Sequence, residues 1–194
     1  MNFENSKKVF FRETFSKINL NKSNIAEKEF ENCIFENCSF IETTFQKCSF
    51  TDCIFNNCVL SAIQANLSTF SEVQFNNSKV IGFDWTKAKS LRHLEFQDSQ
   101  LTYSNFKLLK LPHLKIINCL ANEVDFSGCD LTEANFSNSD LEKSRFLQTN
   151  LTKTNFTKTF NYSIDFKINK LKKTIFSMPE AISLLDSLDI ILGN

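Results

Sequence analysis

"FENCIFENCSF", residues 30–40, gives the phrase Phe-Glu-Asn-Cys twice at an interval of five. A helix returns to the same face about every 3.6 residues and a strand every 2. An interval of five belongs to neither, so its meaning depends on how far it extends. Toward the N-terminus, bulky apolar residues hold it through Ile25, Leu20 and Phe15 back to Phe10. Toward the C-terminus it continues through Phe45, Phe50, Phe55 and Leu60, and after Ala65 through Phe70, Phe75, Val80 and Trp85. Within residues 86–90 the phase slips by one residue. The new register then carries Leu91, Phe96, Leu101 and Phe106 onward to Phe156, breaks at Asn161, and ends with Phe166, Leu171 and Phe176. Of the 22 Phe, only Phe3, Phe11, Phe83 and Phe160 lie off these centres.

A second column stands two residues before each centre and holds every cysteine: Cys33, Cys38, Cys48, Cys53, Cys58, Cys119 and Cys129. Ser68, Ser78, Ser139 and Thr154 share it. Positions i and i−2 point the same way along extended backbone. Each unit of five therefore sends one large and one small group inward and three outward. Residues twenty apart also match: Leu91, Leu111, Leu131, Leu151 and Leu171 form one series, and Phe96, Ile116, Phe136, Phe156 and Phe176 another. That second period predicts a coil of four units, with like stacked on like.

The pattern over residues 10–176 resembles the pentapeptide-repeat family, whose alternating phrase is matched by "DFSGCDLTEANFSNSDLEKSRF" at residues 125–146. The resemblance implies a right-handed quadrilateral parallel β-helix of roughly eight coils, each stabilised by its neighbours. Residues 1–9 are expected as a lead-in and the slip at 86–90 as a local bulge in one continuous domain.

Past Phe176 the pattern changes to "SMPEAISLLDSLDIILGN" (residues 177–194). Ser177 and Glu180 have the spacing of a capping box, with Pro179 in the first turn. Ala181, Leu184, Leu185 and Leu188 follow at helical spacing, so a short α-helix is expected, then an extended piece over residues 189–192. The segment reads as a cap over the last coil's open edge, as a dimer seam through Leu185, Leu188, Ile190 and Leu192, or as both.

Composition narrows the function. The chain has 194 residues, zero formal net charge, three Gly and two Pro. No apolar run approaches the roughly 20 residues of a membrane span, and the first ten residues carry no apolar signal core. The cysteine columns read as small buried fillers, since stacked side chains supply neither the geometry of a bridge nor four converging zinc ligands. Reduced thiols indicate the cytoplasm. His93 and His113, twenty apart, are expected to stack outside as part of a solvated basic strip without a carboxylate. No nucleophile–base signature or phosphate loop appears, and a core filled by its own side chains leaves no enzyme-sized pocket. The expectation is a non-enzymatic protein without cofactor or metal.

Charge is banded. Residues 23–78 carry a net of −5, residues 79–115 of +4, residues 120–142 of −6 and residues 143–173 of +7. Within the family, this length and C-terminal segment resemble the Qnr-type quinolone-resistance and topoisomerase-modulating group, whose members are dimeric rods that engage DNA gyrase or topoisomerase IV where DNA would lie. The resemblance implies a homodimeric DNA mimic that protects against quinolones and itself binds neither nucleic acid nor membrane. Glu123, Asp125, Asp130 and Glu133 are then the expected partner-binding residues. The alternative is a structural or interaction rod with another cytoplasmic protein partner.

Overall fold

The structure, a computed structural model, describes residues 7–188 and residue 190. Residues 1–6 of the expected lead-in lie outside the described residues, as do Leu192 and most of the expected extended piece. Short strands of three residues, each centred on one bulky side chain, run parallel to the strands of the next coil. On the first face Phe10 pairs with Phe30, Phe30 with Phe50 and Phe50 with Phe70. The second face aligns Phe15, Phe35, Phe55 and Phe75, and the third Leu20, Phe40, Leu60 and Val80. The fourth sets Ile25 on Phe45. Four units of five close one coil, and about 8 coils make a parallel β-helix.

The abundance of Phe follows from this geometry. Coils repeat at about 4.8 Å, close to the separation of stacked rings. Phe35 lies on Phe55 with centroids 4.4 Å apart at 4°, while rings from adjacent faces meet edge-on, as do Phe10 and Phe15 at 5.5 Å and 79°. Both arrangements are favoured by the ring quadrupole, by about 0.5–1.5 kcal/mol per pair beyond burial.

The small column does more than fill space. Ser78 Oγ donates to the Phe55 carbonyl at 3.1 Å and accepts the Cys58 N–H at 2.9 Å. Ser139 Oγ donates to the Ile116 carbonyl at 2.9 Å and accepts the Cys119 N–H at 3.1 Å. Cysteine serves at longer range: Cys119 Sγ donates to the Phe96 carbonyl and accepts the Ser99 N–H, both at 3.4 Å. Where the column holds Ser, Thr or Cys it is a hydrogen-bonded spine of small donors that in several units also accept, while Ile63, Val73, Leu94 and Val124 fill it with apolar side chains.

Corners fall two residues after each centre, in left-handed conformation, and ordinary side chains such as Asn32 (φ 52°), Lys47 (φ 54°) and Asp98 (φ 53°) occupy them. In many units from Leu101 onward the corner tightens into a hydrogen-bonded β-turn, with Ser104 N–H donating to the Leu101 carbonyl and Ala134 N–H to that of Leu131, both at 3.0 Å. Positive φ at the third residue is the type II pattern. In these coils an Asp or Asn before the centre accepts the N–H two residues on, as Asn135 does from Ser137 at 3.0 Å.

The extra residue is taken up in a single 3₁₀ turn, Trp85–Lys87, in which the Thr86 N–H donates to the Asp84 side chain. Phe83, off the five-residue series, enters the small column and stacks on Trp85 at 3.7 Å and 5°. Downstream, Phe70 pairs with Leu91 and Phe75 with Phe96. Immediately after this corner the first face opens. Among the described residues no backbone hydrogen bond joins Ser90–Arg92 to residues 110–112, although Asp84 bridges Asn105 and Glu95 pairs with Lys115 on either side. The first face closes again where Lys110 bridges Asp130.

Two expectations fail near the C-terminus. Phe166 is not a centre: it is 38% exposed, because the break at Asn161 lets Tyr162 and Ile164 reach the interior first. Tyr162 sits 5.8 Å from Phe156 and 5.6 Å from Phe176. The expected α-helix is instead a 3₁₀ helix, Glu180–Leu188. Its capping box does not form, since Ser177 Oγ accepts the Lys158 N–H at 2.7 Å and is held by the preceding coil. No helix among the described residues is long and apolar enough to cross a membrane.

Candidate functional site

The outward positions carry whatever this rod can recognise, and the register decides which of them meet. The four acids expected to bind a partner are spread around the coil. Asp125 and Asp130 each precede a centre, so their carboxylates lie over the next turn. Asp125 accepts the Ser127 N–H at 2.9 Å. Asp130 accepts the Thr132 N–H at 3.1 Å, the Thr132 hydroxyl at 2.6 Å and the Asn150 amide at 2.9 Å. Glu133, at a corner, pairs with Lys153 at 2.6 Å, and the hydrogen bond and charge of that lysine hold its carboxyl below the usual carboxylate range. Glu123 stands exposed at another corner with no side-chain partner among the described residues. A shallow hollow of about 320 Å³ gathers Tyr103, Asn105, Glu123, Asp125, Lys143 and Arg145. Stacking at twenty residues thus interleaves the acidic band with the basic one that follows it.

The N-terminal coils differ. Glu27 pairs with Lys8 at 3.0 Å and Glu42 with Lys22 at 3.8 Å. Glu29 and Glu31 flank Phe30, with Asp52 at the next corner of that face and Glu36 on the adjoining face. No ion pair among the described residues involves any of these four. Net charge marks residues 23–78 as acidic but does not set these four apart from Glu27, Glu42 and Glu72, the other acids of the band. The signal was available: the positions twenty residues on from Glu29, Glu31 and Glu36 are Ser49, Thr51 and Asn56, none of them a lysine.

His93 and His113 stack outside, with centroids 6.1 Å apart at 11°. They are not free of carboxylates, contrary to the expectation. His93 Nε2 lies 3.7 Å from Glu72 and His113 Nδ1 3.5 Å from Glu133, because the register aligns these corner residues in one column. All seven cysteines are free and buried. Burial pushes the Cys48 thiol up to about 11 and those of Cys53, Cys119 and Cys129 up to about 12. Among the described residues, no group of three or more His, Cys, Asp or Glu is placed to hold a metal ion.

At the far end, three residues per turn place Ile182, Leu185 and Leu188 in line along the 3₁₀ helix. They are 40%, 37% and 39% exposed, while Leu184 packs against the core. Ile190 is exposed as well.

Comparison with known proteins agrees with this architecture. A pentapeptide repeat region model matches residues 28–106, and a model of pentapeptide repeats in eight copies matches residues 117–159. A search among curated proteins found no match. Among solved structures, a trypsin-treated variant of QnrB1, a plasmid-mediated fluoroquinolone resistance protein, is similar with a TM-score of 0.64 at 18% identity, covering 91% of this chain and 100% of that one. HetL, a pentapeptide repeat protein involved in heterocyst differentiation regulation in the cyanobacterium Nostoc, is similar with a TM-score of 0.58 at 14% identity, covering 88% of this chain and 87% of that one. At such identities the likeness is one of fold. With the same five-residue unit on all four faces, and repeat models that together match more than half of its length, the chain belongs to the pentapeptide-repeat family.

Proposed function

We propose that this chain is a non-enzymatic binding rod that engages a bacterial type II topoisomerase, DNA gyrase or topoisomerase IV, by standing in for DNA, and that it thereby protects the enzyme from quinolones. The observation that carries the reading is the group of carboxylates without ion-pair partners among the described residues, Glu29, Glu31 and Glu36 on one coil and Asp52 on the next, in a rod that shares its fold along nearly its whole length with a fluoroquinolone resistance protein. Clustered negative charge is what a DNA-binding surface rich in Lys and Arg accepts. Glu123, on a distant coil and another face, is a further exposed carboxylate. Asp125, Asp130 and Glu133 contribute less, because each is already engaged within the rod. The exposed stripe of Ile182, Leu185, Leu188 and Ile190, with Leu192, is the seam of a homodimer. The reading places the protein in the cytoplasm, where its thiols stay reduced.

A gyrase supercoiling assay with and without a fluoroquinolone tests the partner. Added protein should change supercoiling or relieve the drug, and replacing Glu29, Glu31, Glu36 and Asp52 by their amides should abolish the effect. Charge-steered contacts also weaken steeply with salt. Binding that survives this replacement, the same treatment of Glu123, Asp125, Asp130 and Glu133, and high salt would sink the mimicry. Light scattering of the chain cut after Phe176 should report a monomer against a full-length dimer, and a monomeric full-length protein removes the seam.

HetL supports a second reading, because the same fold serves a protein named for developmental regulation. On that reading the rod binds a different cytoplasmic protein, and gyrase is indifferent to it.

A further inference from the structure

We propose that the opening on the first face, between Ser90–Arg92 and residues 110–112, is a binding cleft for the phosphate group of a small molecule. Everywhere else on this face, successive coils are joined by backbone hydrogen bonds or bridges up to Lys170. Here they part, leaving a hollow of about 370 Å³. Its floor is apolar, formed by Leu91, Leu94, Leu111 and Leu114, and its rim carries Arg92 and Lys110 together with His93 and His113, whose outer edges lie beside Glu72 and Glu133.

Three observations point to an anion. Neither Arg92 nor Lys110 forms an ion pair among the described residues, so two permanent positive charges face the same opening unneutralised. The N–H groups of His93 and Lys110, which an intact ladder would engage, make no backbone hydrogen bond among the described residues, and none joins Leu91 to residues 110–112. Pro112 brings no N–H of its own, so it adds no donor that could bridge the gap. Backbone donors converging with an arginine are the means by which proteins hold phosphate.

The size excludes a strand. The coils remain paired on the faces to either side, at Asp84 with Asn105 and at Glu95 with Lys115, so the gap is a wedge rather than a missing rung. A wedge of this volume admits a compact dianion, and the leucine floor receives any apolar body attached to it. The cleft does not depend on the topoisomerase reading, since its charge is opposite to that of the acidic rows.

The test is titration of the isotopically labelled full chain with orthophosphate and with adenosine monophosphate, followed through backbone amide resonances. Shifts should be confined to Leu91, Arg92, His93, Lys110 and His113, saturating at or below roughly 1 mM. Tighter binding of the nucleotide assigns a phosphate ester, and tighter binding of orthophosphate assigns the free ion. Arg92→Gln with Lys110→Gln should weaken the preferred probe by about tenfold or more, as loss of charge-assisted contacts does. Lys170→Gln with Lys172→Gln, on the same face but outside the cleft, should change it by less than about twofold. Both pairs are exposed, so folding is preserved and serves as the internal check. No shift with either probe, shifts spread over the basic strip at residues 153–173, or equal losses in the two double variants would overturn the proposal.

Discussion

Replacing Ser139 by alanine isolates the energy of the spine. Its hydroxyl donates to the Ile116 carbonyl at 2.9 Å and accepts the Cys119 N–H at 3.1 Å, in a site shut off from water. Ala has nearly the same volume, so the packing term is small and the change strands one buried donor and one buried acceptor. Each such group costs about 1–3 kcal/mol, giving about 2–4 kcal/mol after some relaxation. For a chain of this size the melting temperature should fall by roughly 4–16 °C. Ser139→Cys is the matched control, because Cys119 occupies the equivalent position one coil earlier and makes both contacts through sulfur. It should lose less than half as much. Urea denaturation followed by circular dichroism gives the global number. Hydrogen exchange gives the local one: in Ser139→Ala the Cys119 amide should lose protection while the first coils keep theirs, as nearest-neighbour stacking requires. If Ala and Cys variants are equally stable, or if Cys119 exchanges no faster, the column is mere filler and the reasoning is wrong.

Phe126 lies fully buried between Phe106 at 5.4 Å and Phe146 at 5.1 Å, so Phe126→Ala should cost about 3–5 kcal/mol, against under about 0.5 kcal/mol for exposed Lys172→Ala, read from paired denaturant melts. All seven thiols are buried, so a thiol reagent at neutral pH should label few of them in the native protein and seven after denaturation, with no loss of stability on adding reductant or chelator. Gly128 has φ +70° and an added Cβ would stand 2.5 Å from Leu108 Cδ2, yet Leu108 is 72% exposed and free to turn away. Gly128→Ala should therefore cost only about 1–2 kcal/mol, the left-handed term alone, and a second substitution, Leu108→Ala, should recover little of it in a thermal melt.

Five-residue periodicity made the centres legible because burial of one large group per side is a demand that every unit repeats. The twenty-residue likeness of Leu91 to Leu111 and of Phe136 to Phe156 made the square legible for the same reason. Hydrogen bonding in the spine was hidden, since Cys and Ser look interchangeable as fillers and their shared donor–acceptor role needs the carbonyl of the preceding coil to be seen. The helix type was hidden too: Ile182, Leu185 and Leu188 fit three residues per turn as well as Leu184 and Leu188 fit 3.6, and the capture of Ser177 by Lys158 removed the signal that favoured the second. For the acids, net charge by segment was visible, but which carboxylates were already engaged depended on partners such as Lys153, twenty residues away. The parting of the first face left one trace, Pro112, whose missing N–H matters only once the neighbouring strand is known.

Because each centre sits on another twenty residues away, length and orientation in this chain change by separate arithmetic. Inserting twenty residues at a corner lengthens the rod by about 4.8 Å and returns every downstream side chain to its own face. Inserting five turns the whole downstream half through a quarter circle, carrying the row behind Leu131 to where the row behind Phe136 had been. A single residue does neither, as the turn at Trp85–Lys87 demonstrates. Duplication and loss of units thus act on this molecule like the indexing of a dial, able to swing the apolar stripe at one end to any of four bearings relative to the carboxylates at the other.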